Sequence, residues 1–164
     1  MAKVTTTHGK YKGVVVNTTD YKAVNRALLN RKEELERLLI KRFTMTGEEC
    51  VRIARESGSY NDITGNLRSS IGYVVLQDGK PVVNGASKQY SGTKGNGEAG
   101  PAAAEALLNQ LQAKFPRGIV LIVCAGMNYA AYVENVRHKD VLTTAELLME
   151  SLIRKHLTNN GIVK

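Results

Sequence analysis

The chain has 164 residues, 43% hydrophobic and 23% charged, and its 23 Lys and Arg against 15 Asp and Glu leave a formal charge of +8. That composition excludes a disordered chain, and the length leaves room for one domain or two very small ones, with a core that needs no disulfide or metal staple. No apolar run approaches the roughly 20 residues that span a bilayer, and residues 1–12 lack the apolar segment of a signal peptide, so a soluble, cytosolic chain without a membrane partner is expected.

Residues 1–18 read as an N-terminal arm with at most one strand, around Val14-Val15-Val16. Thr19 or Asp20 caps a long helix whose apolar positions Val24, Ala27, Leu28, Leu35, Leu38 and Leu39 recur at three- and four-residue steps. A capping-box pattern at Thr46 to Glu49 predicts a break or bend, with Cys50, Ile53 and Ala54 sharing a face beyond it. Ser57-Gly58-Ser59 ends the helix, and Asn61 to Asn66 is rich in turn formers. Ile71 to Leu76, Asp78-Gly79 and Pro81 to Val83 read as a hairpin, with Pro81 placing its strand at an edge.

Residues 84–100 are Gly, Ser, Lys and Asn with a lone Tyr90, the pattern of a long exposed, flexible loop. Pro101 suits the first turn of a helix with Ala104, Leu107, Leu108, Leu111 and Phe115 on one stripe. Ile119 to Ala125 reads as the central strand. Asn128 then caps a short helix in which Tyr129, Tyr132, Val133 and Val136 share a face, with a continued strand as the alternative. A last helix opens at Thr143 or Thr144, Glu146 closing a capping box, and buries Leu148, Met149 and Leu152 before ending near Asn159-Asn160-Gly161. The expected architecture is one α+β domain over residues 1–164. It has a small, mostly antiparallel sheet with the long N-terminal helix and two further helices packed on it, mainly on one face.

Candidate chemistry is sparse. Gly95-x-Gly97-x-x-Gly100 spells a dinucleotide fingerprint ahead of a helix, yet no strand leads into it, Glu98 opposes a phosphate, and Val120 stands where a ribose-binding acid belongs. A supple loop is the better reading, with Lys88 and Lys94 placed to touch a polyanion. His8, His138 and His156 share no metal-ligand spacing with each other or with a cysteine. Cys50 and Cys124 fall inside a predicted helix and strand and read as buried free thiols. No serine sits in a nucleophile-elbow pattern, and Asp62 reads as a turn carboxylate bonded to its own backbone. Seven Tyr, two Phe and no Trp make a thin stacking surface for single strands. Tyr129, Tyr132 and Glu134 read as core-edge or subunit-contact residues. No catalytic, cofactor-binding or metal-binding set emerges, and the chain is not expected to be an enzyme.

Two segments, Thr64-Gly65-Asn66-Leu67-Arg68-Ser69-Ser70-Ile71 and Tyr129-Ala130-Ala131-Tyr132-Val133-Glu134, resemble the putative tail-component family of lambda-like siphophages. In that family a long amphipathic helix leads into a T-G-x-L-R-x-S-I segment, a hairpin follows, and Y-A-x-x-V-E precedes the last helix. This chain keeps that order from Lys22 to Leu157. It departs at Asn61-Asp62-Ile63, where the family often has a Pro, and at Asn135-Val136, where it often has an aromatic residue and Gly. The resemblance implies a head-tail connector or tail-completion protein of a phage virion, formed in the host cytoplasm and built into the neck or the top of the tail. Its implied partners are copies of itself in a ring, a hexamer favoured, neighbouring neck or tail-tube proteins, and the genomic DNA passing through the channel. Thr64, Gly65, Leu67, Arg68, Tyr129, Tyr132 and Glu134 would then lie at subunit or partner contacts, and Lys88 and Lys94 would face a neighbour or the DNA channel. The +8 charge keeps a second reading open, a stand-alone basic nucleic-acid-binding module.

Overall fold

The computed structural model describes residues 3–5, 14–16, 19–85 and 88–158. Strand β1 (Lys3–Thr5) lies antiparallel to β2 (Val14–Val16), with Lys3 opposite Val16 and Thr5 opposite Val14. The arm thus carries two strands where at most one was expected, because β-branched Val4 and Thr5 suit a pleated pair as well as the valine run does. Helix α1 (Tyr21–Glu56) follows, and Asp20 caps it, Oδ1 accepting the N–H of Lys22 at 3.0 Å and of Ala23 at 3.2 Å. At 1.5 Å per residue its 36 residues reach about 54 Å.

Two compact units divide the chain, Met1–Arg37 and Leu38–Lys164, and α1 contributes to both. In the first unit every residue from Tyr21 to Glu34 is exposed, Val24, Ala27 and Leu28 of the expected apolar face included. Ion pairs Arg31–Glu34, Lys32–Glu36 and Glu33–Arg37 support this stretch, each by about 0.2–0.5 kcal/mol.

In the second unit α1 does not break at Thr46-Gly47, contrary to the capping-box pattern. Thr46 Oγ1 donates to the Arg42 carbonyl within the helix at 3.0 Å, so it caps nothing new. Gly47 lies against the Tyr73 ring, where a Cβ would come within 2.5 Å of Cδ2. The residue pattern that looked like a helix start is a flat contact site for an aromatic ring.

Strands β3 (Ile71–Gln77) and β4 (Lys80–Asn84) form the expected hairpin. Asp78 and Gly79, at φ 49° and 77°, supply the two left-handed residues its turn requires. Strand β5 (Ile119–Ala125) pairs antiparallel with the other side of β3, giving the order β4-β3-β5, so β3 is central and not β5 as expected. The reason lies in what covers the sheet. Ile71, Tyr73 and Val75 pack with Cys50, Val51 and Ala54 of α1 and with Ala145 and Leu152 of α5 (Thr143–Thr158). Val74 and Leu76 point the other way, onto Ala104 and Leu108 of α3 (Ala99–Gln112). Both faces are covered, so β3 is buried from Ile71 to Leu76, whereas β5 at the edge is mostly half-buried. Pro81 sits on edge strand β4, where its missing N–H costs no ladder bond.

The remaining elements are α2 (Asn66–Ser69) and α4 (Ala130–Asn135), the latter settling the helix-or-strand alternative as a helix, with Tyr129 and not Asn128 at its N-cap. Phe115 lies beyond the end of α3 and is exposed, so it leaves the predicted stripe. In α5 Ala145, Leu152 and His156 are buried and Met149 packs half-buried against the same core, while Leu148 is exposed. The predicted end of α5 at residues 159–161 lies outside the described residues. No helix among those described is long and apolar enough to cross a membrane.

Candidate functional site

Residues 88–98 are mostly exposed, as their composition suggests, but they do not run free of the rest of the chain. From Tyr90 to Gly97 the segment is docked on the 62–69 turn through backbone hydrogen bonds: Thr93 N–H to the Asp62 carbonyl (3.1 Å), Lys94 N–H to Ile63 (2.7 Å) and Gly97 N–H to Thr64 (2.8 Å). Ser69 Oγ completes the seam by accepting the Tyr90 N–H at 2.8 Å. The glycines permit the approach. Gly65 opens α2 at φ 79°, and a Cβ there would lie 2.1 Å from the Tyr90 carbonyl oxygen; at Gly97, φ 71°, the same oxygen would be 2.0 Å away. The Gly97 amide is engaged by protein carbonyl, so the G-x-G-x-x-G letters mark close packing and not a phosphate cradle.

Burial sorts the family-like residues. Gly65 and Leu67 are buried within their own chain. Ser69 and Ser70 are also fully buried, and Ser70 ties the turn to β5 by accepting the Gly126 N–H on its carbonyl at 2.9 Å. Arg68 places Nε 3.2 Å from Asp62 Oδ2, an ion pair set at an angle short of a hydrogen bond. Asp62 therefore answers a cation and not, as expected, its own backbone.

Glu134 likewise has an internal role. Its Oε1 accepts the N–H of Leu142 (3.0 Å), the N–H of Thr143 (2.8 Å) and the Thr143 hydroxyl (2.6 Å), capping α5 from α4 in place of the expected Glu146. Burial pushes this carboxyl up, but the bonds from Thr143 and Leu142 outweigh it and hold the group below the usual carboxylate range. Because the folded value is depressed, its stabilisation is complete above the unfolded value of about 4.3 and is lost as pH falls through the folded one. Glu134→Ala is expected to cost about 1–2 kcal/mol at pH 7 in urea unfolding, with the gap to wild type narrowing at pH 3. A gap independent of pH would reject the assignment.

Thr64, Tyr129 and Tyr132 remain accessible in whole or part. Although the two family-like segments lie far apart in sequence, Thr64, Leu67, Tyr129 and Val133 line one cleft of about 810 Å³, with Tyr60 and Ile63 beside them and Arg137 and Lys139 supplying positive charge. Tyr132 is half exposed, with the Arg137 guanidinium 5.7 Å from its ring centre. Lys88 lines a second cleft of about 860 Å³ with Arg52, Arg55, Arg68 and Tyr73. Lys94 is exposed, and lines neither cleft.

One residue at this second cleft had no signal in the composition. Arg55 is buried, donates from Nη2 to the Ile71 carbonyl and from Nε to the Arg68 carbonyl, and sits 4.9 Å from the Tyr90 ring centre. Desolvation pushes its guanidinium down and the Tyr90 hydroxyl pushes it back up. Its place four residues after Val51, on the inward face of α1, was the available clue.

Both thiols are buried, and burial raises them, Cys124 to about 11. Neither is expected to react with a thiol reagent at pH 8 until the chain unfolds; rapid labelling of the native protein would contradict this burial. Among the described residues no three His, Cys, Asp or Glu side chains gather as a metal site. The carboxylates near the first cleft are engaged, Asp62 by Arg68, Glu134 by Thr143 and Asp140 by Thr144. What the arrangement offers is shaped surface. Compared with known protein families, characterised proteins and solved structures, the chain shows no match.

Proposed function

We propose that this chain is a structural protein of a tailed-phage virion, assembling as a ring in the neck or at the top of the tail around the DNA channel. The observation that carries the reading is the row of large apolar side chains on the first turns of α1: Tyr21, Val24, Leu28 and Leu29 are 63%, 43%, 63% and 60% exposed. Isolated exposed leucines are ordinary, but Tyr21, Val24 and Leu28 fall at i, i+3 and i+7 on one helix face with Leu29 one residue on, and all four stand exposed among the described residues. Covering such a side chain contributes about 1.5–3 kcal/mol. A copy that presents this row to a different patch on the next copy makes a heterologous contact, which closes into a ring when the rotation permits.

The reading of a place in the virion is supported by the resemblance of the two segments, whose Thr64, Leu67, Tyr129 and Val133 share one cleft, and by their order along a long helix, a hairpin and a last helix. Favoured as a hexamer, the ring joins neighbouring neck or tail-tube proteins and leaves bonds in its partners unbroken. Protein mass spectrometry of purified particles of the encoding phage tests the reading: the chain is expected in the particle in several copies. Its absence from particles would overturn it.

A further inference from the structure

The charges at the second cleft do not cancel. Arg55, which lines it, is only 8% exposed, and a guanidinium buried so deeply ordinarily faces a carboxylate. Here its partners are neutral: the Arg68 carbonyl on Nε, the Ile71 carbonyl on Nη2 and the Tyr90 hydroxyl 3.5 Å from Nη1. No Asp or Glu among the described residues forms an ion pair with it. Each nitrogen donates once, so one N–H on Nη1 and one on Nη2 have no acceptor among the described residues. The neighbouring charges are committed elsewhere. Arg52 pairs with Glu56 at 2.7 Å and Arg68 with Asp62 at 3.2 Å. That leaves Arg55 and Lys88 against Glu48, whose Oε1 accepts the Tyr73 hydroxyl at 3.4 Å, and hence a surplus of one positive charge.

We infer that this cleft binds a small organic monocarboxylate, whose two oxygens accept the open N–H groups of Arg55. A planar guanidinium offers such a pair of donors in the geometry a carboxylate needs. Charge selects the ligand class: one negative charge balances the surplus, whereas a phosphate dianion brings a second charge that faces Glu48 and Glu56. Val51, Val83 and the Tyr73 ring supply apolar lining for the body of the ligand, and a cleft of about 860 Å³ has the size of a small-molecule site. The two carbonyl bonds and the Tyr90 ring, centred 4.9 Å away, hold the guanidinium in place beforehand, so binding does not have to order it. The inference concerns a cleft within one chain and stands apart from the ring.

Thermal unfolding of the full chain in sodium benzoate, at fixed pH and ionic strength, tests it. With a Kd of about 1 mM, in keeping with so small a ligand, about 10 mM benzoate is expected to raise Tm by about 4 °C. Benzyl alcohol, which keeps the ring and lacks the carboxylate, gives no rise. R137Q/K139Q, at the first cleft, keeps the wild-type response, and R55Q loses it. R55Q also gives up the bonds to Arg68 and Ile71, so the Arg55 Nε–H resonance of the wild-type chain is followed in parallel by NMR and is expected to move saturably with benzoate. Absence of the Tm rise, an unmoved Arg55 resonance, an equal rise with benzyl alcohol, tighter binding of inorganic phosphate than of benzoate, or a folded R55Q that keeps the rise each overturns the assignment. None of these outcomes bears on copy number in the particle, which tests the ring separately.

Discussion

Leu28→Asp combined with Leu29→Asp is expected to leave only monomers in a sedimentation experiment at concentrations where the wild-type chain forms a discrete larger species. Both side chains are about 60% exposed, so the fold loses little when they change, and unfolding free energy is expected to stay within about 0.5 kcal/mol of wild type. The assembled state loses far more. Each Leu removed from a contact forfeits about 1.5–3 kcal/mol, and each buried carboxylate adds a desolvation penalty of several kcal/mol. A variant that melts as wild type does but no longer associates separates assembly from stability. A variant that still forms the larger species would remove the apolar row from the interface.

Gly65→Ala is expected to produce a large loss of stability where the 62–69 turn meets the docked segment. The left-handed backbone at φ 79° costs a side chain about 1–2 kcal/mol, and the new Cβ meets the Tyr90 carbonyl oxygen at 2.1 Å and the Gly92 nitrogen at 2.7 Å. Neither is a flexible side chain, so overpacking adds about 1–3 kcal/mol. A total of about 3 kcal/mol corresponds to a fall in Tm of about 10 °C for a chain of this size. Gly118→Ala is the control. Gly118 has φ 81°, but nothing lies within 4 Å of its would-be Cβ, so only the backbone cost of about 1 kcal/mol applies. Equal losses at the two positions would show that the 62–69 turn and the 90–97 segment do not pack as described.

These contrasts mark which parts of the molecule were legible in its residues. Asp78-Gly79, the Ala104 to Leu111 stripe and the Asp20 cap are local signals, each contained within a few residues, and each element they imply is present. The family-like order of helix, hairpin and last helix likewise sits in an α+β fold with a three-stranded antiparallel sheet. What composition missed depends on partners distant in sequence. Glycines between 85 and 100 look supple until Gly65 and Tyr90 are placed against each other, and only then does close approach become their purpose. Glu146 and Thr46 satisfied the capping pattern, but Glu134 reached the α5 N-terminus from α4 and Tyr73 claimed the surface at Gly47. The centrality of β3 was hidden by Gly72 and Tyr73, which interrupt its apolar run, while β5 carries seven apolar residues in succession at an edge. Of the family-like residues, Leu67 and Gly65 are buried and Glu134 caps α5, whereas Thr64, Tyr129 and Tyr132 remain accessible in whole or part.

Self-assembly is the central claim, and native mass spectrometry of the full chain over a range of concentrations tests it most directly. A closed species of one fixed copy number, six favoured, that persists on dilution and vanishes in the Leu28, Leu29 double variant is the predicted spectrum. A single mass of one chain at every concentration, unchanged when neighbouring particle proteins are added, would contradict it.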